Sequence, residues 1–225
     1  MKNKKSLYIW IGCLIVVCIL VIPYAIKMAG IIFLPKYVSI WKQLGIYQFV
    51  GIGMVLYLLI RKYLRTNIEW LEVFSHELTH SIVALLFFRK IHSFQATDRE
   101  GGMVYTSSYH RYSEIPMALA PYCLPIFTYA LLFLHPLITF DGRWIFELLI
   151  GITLCFHIFC FKKQTGNHQP DINQYPLIFS YLYIFTAHII NFCIIWVSFF
   201  PNYNVFSSFW RMICSMWGQL LGLFA

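Results

Sequence analysis

Six long apolar runs, each bounded by short polar or basic stretches, dominate the chain: Leu7 to Ile26, Leu44 to Ile60, Ile68 to Phe88, Ile115 to Leu134, Trp144 to Phe161 and Leu177 to Phe200. Each reaches or approaches the roughly 20 residues that carry a helix across a hydrocarbon core of about 30 Å. The pattern predicts an all-α polytopic membrane protein of about six transmembrane helices, with the lipid bilayer as its surroundings. The tail from Phe206 to Phe224 reads either as a seventh span or as an amphipathic helix, because Trp210, Arg211 and Trp217 suit the membrane interface. One polar connection is long, from Arg89 to Glu114. Within it, IHSFQATDREGGMVYTS alternates in strand fashion around Arg99-Glu100-Gly101-Gly102, which predicts a β-hairpin turning at the glycines. No internal repeat or soluble insertion interrupts the series. Residues 1–225 therefore read as a single membrane-embedded domain, with a core over 68–200, a hairpin loop over 89–114 and a C-terminal helix over 206–225.

Composition agrees with that picture: 60% of the 225 residues are hydrophobic and 12% charged, far from the balance of a soluble domain. MKNKKS opens the chain in the manner of a signal peptide, but no small-residue cleavage site follows the first apolar run, so that run is read as a retained span. Seven cysteines, mostly within apolar runs and without a C-x-x-C pair, point neither to a disulfide framework nor to a thiolate metal site. The net charge of +8 is scattered over the loops, which suits anionic lipid headgroups and argues against a nucleic-acid partner. Orientation stays open. With the N-terminus inside, the inner loops carry seven Lys and Arg and the outer loops nine, too even a split for the positive-inside rule.

Chemistry enters where polarity is least expected. FSHELTHSIVALLFF, from Phe74 to Phe88, places two histidines and a glutamate in an otherwise apolar span. In a helix His76 and His80 lie one turn apart on one face, so both rings reach one ion, and Glu77 sits beside them. HExxH is the zinc-peptidase spacing, in which two neutral imidazoles hold the metal while the glutamate takes a proton from an activated water and later delivers it to the leaving amine. Ionisable side chains at membrane depth cost several kcal/mol unless paired, hydrated or bound to an ion. The alternative reading makes His76, Glu77 and His80 mutual hydrogen-bond partners facing an aqueous cavity. Glu69 and Glu72 fall on the same stripe and are candidates for orienting an imidazole from behind, or simply favour the helix start.

A zinc peptidase site needs a third protein ligand. The aspartates are Asp98 in the hairpin turn, Asp141 in a short loop and Asp171 in KKQTGNHQPDINQYP. Asp171 is the preferred candidate, since Gly166, Pro170 and Pro176 break regular helix around it, and irregular backbone at membrane depth belongs next to protein or a water-filled cavity. Its other reading is a helix N-cap. His168 is the second choice for the ligand and Glu147 a more distant one. His92, His110, His135, His157 and His188 are scattered and read as interfacial or hydrogen-bonded histidines. Pro121 and Pro125 in APYCLPIFT read as a kink or a site of close packing.

The order of these parts resembles the site-2 protease family of intramembrane zinc metallopeptidases: HELTH at His76 to His80 inside a span, a glycine-bearing hairpin after it, and an aspartate ahead of a later span. The resemblance implies a mostly helical membrane core and cleavage of a membrane-protein or peptide substrate within or near the bilayer. It further implies zinc held by His76, His80 and Asp171, with Glu77 as catalytic base. Asn167-His168-Gln169-Pro170 matches the first half of the family's N-x-x-P-x-x-x-L-D-G, but Asp171 follows at once, without the spacer, Leu or Gly. Gln169-Pro170-Asp171-Ile172 is more similar to a divergent branch of small bacterial proteins, which implies a multi-pass protein of a bacterial plasma membrane. Two rival readings use the same histidines: a metal transporter or sensor, and an inactive homologue that binds membrane proteins.

Overall fold

The computed structural model describes residues 4–33, 46–97, 101–107, 113–134, 143–166, 169–198, 210 and 214. The chain runs through α1 (Lys4–Phe33), α2 (Ile46–Tyr63), α3 (Arg65–Leu86), β1 (Ile91–Thr97), β2 (Gly101–Thr106), α4 (Glu114–Leu119), a 3-10 turn (Ala120–Tyr122), α5 (Ile126–Leu134), α6 (Arg143–Gln164), α7 (Pro170–Asn173) and α8 (Leu177–Ser198). Among the described residues, three stretches are long and apolar enough to cross a membrane: Leu7–Ile26 in α1, Trp144–Gln164 in α6 and Leu177–Ile195 in α8. The spans expected over 44–60 and 68–88 are the helices α2 and α3, which are not among these three. Arg61 and Lys62 close α2, and α3 carries the ionisable residues of the motif. Most of the proposed seventh helix over 206–224 lies outside the described residues.

The stretch expected to span from Ile115 to Leu134 is sharply bent at its prolines, where a kink or close packing was expected. Its two halves, Glu114–Tyr122 and Ile126–Leu134, meet at 89°. Pro121 and Pro125 each lack an N–H and clash with a continuing helix, so the ladder opens between them. The backbone freed there is buried and satisfied by protein: Asn191 Nδ2 on α8 donates to the Cys123 carbonyl at 2.5 Å, and Tyr129 Oη donates to Asn191 Oδ1 at 2.5 Å. Cys123 Sγ bonds back to the carbonyls of Leu119 and Ala120. Non-helical backbone is tolerated in a bilayer only under such cover.

Two glycines let α2 and α6 approach backbone to backbone. A Cβ built on Gly53 of α2 would overlap the Leu148 backbone carbonyl, and one on Gly151 of α6 would overlap the Val50 carbonyl. Small residues drive helix association in membranes because they let main chains approach. Here the obstruction on each side is backbone, which no rotamer change relieves. Gly151→Val is therefore expected to destabilise the fold by about 1–3 kcal/mol, read as a lowered Tm in detergent; an unchanged Tm would show that the crossing tolerates separation.

The hairpin docks on the helix before it. β1 and β2 pair antiparallel from Ile91↔Thr106 to Thr97↔Gly101, with an irregularity between Ile91 and Ser93, and Phe94 packs edge-on against Phe74 of α3 at 5.7 Å. The expected turn shifts in consequence: Gly101 and Gly102 belong to β2, opposite Thr97 and Ala96. Asp98, Arg99 and Glu100 lie outside the described residues. A buried cluster of Leu14, Ile115, Leu119, Tyr122, Ile172 and Ile184, among others, ties α1, α4, the 3-10 turn, α7 and α8 together. Ile172 is fully buried in it, which fixes the adjacent Asp171 against α3.

Candidate metal centre

The inward face of α3 is polar. Glu72, Ser75, Glu77, Thr79 and Ser81 are all buried. His76 and His80 lie one turn apart and meet edge-on, with ring centroids 4.9 Å from each other. Asp171 approaches from α7, placing Oδ2 at 3.8 Å from His76 Nε2 and 3.4 Å from His80 Nε2. One donor atom from each of the three residues falls within 4.8 Å of the others. Donors about 2.0–2.1 Å from a tetrahedral zinc ion stand roughly 3.3 Å apart. Two imidazoles and a carboxylate at these separations fit such an ion.

The outer nitrogens agree with that fit. His80 Nδ1 lies 2.7 Å from the Met117 carbonyl, which can only accept, so Nδ1 carries the proton and the Nε2 lone pair faces Asp171. His76 Nδ1 lies 3.1 Å from Gln164 Oε1. Behind His76, the ring of Tyr122 meets it edge-on at 5.3 Å.

Asp171 does not cap its helix. Gln169, in extended backbone, is the N-cap of α7, Pro170 follows, and Asp171 stands in the first turn with its Oδ1 accepting from Gln174 Nε2 at 3.3 Å. His168, Asp141, His110 and His135 lie outside the described residues. Glu147 is buried near the opposite end of α6 from Gln164, about 25 Å away along the axis at 1.5 Å per residue, too far to reach the histidines. His157 and His188 stack on each other at 5.6 Å between α6 and α8.

Of the two roles that the stripe suggests for Glu69 and Glu72, orienting the imidazoles through their carboxylates is not the one the structure holds. Glu72 is 1% exposed and is paired with Arg61 and, at 2.8 Å, with Lys163 Nζ. Glu69 accepts from Arg65 Nε at 3.0 Å. Basic residues at the ends of α2 and α6 take Glu72, and Arg65 of α3 itself, with Lys163 of α6, takes Glu69. The groups that do meet the rings, Gln164 and the Met117 carbonyl, carry no signal of their own in the sequence.

In front of the centre lies a cavity of about 790 Å³ lined by Glu77, His80 and Asp171 on one side and by β2 from Gly102 to Thr106 on the other. Among the described residues β2 pairs as a strand with β1 alone, so its other edge offers N–H and C=O groups to an added strand. Gly102 touches the motif directly: a Cβ there would overlap the Glu77 side chain. Tyr175 also lines the cavity, and burial pushes its hydroxyl up to about 12, so it keeps its proton as a hydrogen-bond donor at neutral pH.

Comparison with known proteins adds one finding. No curated protein and no solved structure matches the chain. The family model of the Peptidase M50B-like group matches residues 49–168, just over half of the chain. The matched region contains His76, Glu77 and His80 and stops shortly before Asp171. On that match the chain belongs to the Peptidase M50B-like family, consistent with a site-2 protease-like protein.

Proposed function

We propose that the protein is an intramembrane zinc metalloendopeptidase of a bacterial plasma membrane, acting on segments of other membrane proteins. The observation that carries this reading is the convergence of His76, His80 and Asp171, the last two of which line one cavity together with Glu77. His76 and His80 would hold zinc through Nε2, and Asp171 through a carboxylate oxygen. When bound, zinc supplies Lewis acidity, polarising a carbonyl and acidifying a water. Glu77 is the general base: its carboxylate receives the proton of the attacking water and returns it to the departing amine. The free edge of β2 receives the substrate as an added strand, giving hydrogen-bond partners to a stretch that has left its own helix. That exchange matters in lipid, where an unwound backbone finds no other partners.

A transporter would need donors spread along a path through the bilayer, whereas the described residues gather into one potential metal cluster. An inactive relative would keep the ligands and lose turnover, which the Glu77 experiment below separates. The ligand assignment is tested by metal analysis of the purified protein beside His80→Ala and Asp171→Ala. About one zinc per chain is expected in the parent and loss in both variants. Zinc-free parent protein would overturn the reading, and zinc lost from His80→Ala but kept in Asp171→Ala would move the third ligand to His168.

A further inference from the structure

We infer that Gln164 is the positioning residue of His76: its side-chain carbonyl takes the Nδ1–H of the ring and so turns the Nε2 lone pair toward His80 and Asp171. The inference rests on the assignment of those three residues as zinc ligands. Gln164 is the last residue of α6, and both ends of its amide are used. Nε2 donates to the Glu72 backbone carbonyl at 3.0 Å, and Oε1 lies 3.1 Å from His76 Nδ1. A backbone carbonyl only accepts, so the amide nitrogen must face Glu72 and the amide oxygen must face the ring. The ring is then the donor. A neutral imidazole has a single N–H, and placing it at Nδ1 leaves Nε2 bare for a metal.

Gln164 is itself held. The residue before it, Lys163, reaches the same Glu72 through Nζ to Oε2 at 2.8 Å, while Arg61 engages the other carboxylate oxygen. Two consecutive residues of α6 thus grip one residue of α3, a single turn ahead of His76. The end of α6 cannot slide along α3 without breaking both bonds. This gives the buried Glu72 a place in the centre that its position on the stripe did not disclose: it acts through its main-chain carbonyl and through the cations that its carboxylate gathers. For His80 the matching acceptor is the Met117 carbonyl, which no side-chain substitution removes, so His76 is where the support of the ligands is open to mutation.

Such outer partners fix ring orientation and raise ligand basicity, and losing one typically costs about 10- to 100-fold in metal affinity. The test is zinc affinity of the purified full-length protein by chelator competition, for the parent, Gln164→Met, Gln164→Glu and His80→Ala. Gln164→Met keeps the length but offers no comparable acceptor, and is expected to lose about 10- to 100-fold. Gln164→Glu gives up the donor to Glu72 but keeps an oxygen opposite Nδ1, and is expected to stay close to the parent. Parent-like affinity in Gln164→Met, or an equal loss in Gln164→Glu, would overturn the inference. Parent-like affinity in His80→Ala would instead overturn the ligand assignment beneath it.

Discussion

Replacing Glu77 by Gln is expected to abolish cleavage of a membrane-protein substrate while leaving zinc in place. The substitution preserves the size of the side chain and its fit against Gly102, and removes only the capacity to accept a proton. Glu77 is not one of the three donors that converge, so the metal content has no reason to fall. General acid–base catalysis contributes about 10²–10⁴-fold, and the loss should reach at least that range, since of the other carboxylates that line the cavity Asp171 is engaged with both rings and Glu114 belongs to the first turn of α4. The measurement pairs product formation in detergent or liposomes with zinc content of the same preparation. Cleavage at the parent rate would remove Glu77 from the mechanism. Loss of zinc together with activity would make Glu77 part of the metal support instead.

Gly102→Ala should be nearly as damaging, for a steric reason. The backbone at Gly102 is paired with Ala96 in an ordinary strand, so alanine is not excluded by conformation. What excludes it is the carboxylate-bearing side chain of Glu77, which a Cβ would overlap. Either Glu77 turns away or β2 withdraws from the cavity. Misplacement of a reacting group by about 1 Å can cost about 10²-fold in rate, and a fall of that order in kcat is expected, with zinc content and Tm near those of the parent. Parent-like kcat would mean that strand and carboxylate separate during turnover, so that the close contact belongs to the resting enzyme alone.

The sequence made some of this legible through periodicity and some not at all. The apolar runs of α1, α6 and α8 needed no tertiary knowledge, because spanning helices are built from their own residues. Alternation around the glycines disclosed the hairpin, but a glycine pair reads naturally as a turn, and only the fold reveals that Gly102 is small so that Glu77 can sit against it. His76 and His80 were visible because helical geometry joins residues four apart. Asp171 could be singled out by the broken helix around it, although its distance from the histidines is a property of packing. Pro121 and Pro125 announced a disturbance; its size depends on Asn191, far along the chain, which accommodates the opened backbone. Glu72 shows the limit most clearly. Helical spacing located its face correctly and its partner wrongly, since Arg61 and Lys163 arrive from other helices.

The ordering of donors along the chain bears on how the protein is made. His76 and His80 leave the ribosome well before Asp171, and the acceptors for their outer nitrogens, Met117 and Gln164, also come from later segments. A nascent chain halted anywhere before α7 has two donors and an unfinished cavity. The centre is completed only once α7 has been made and packed, so under the proposed function no peptide bond can be cut before Asp171 has joined the two histidines.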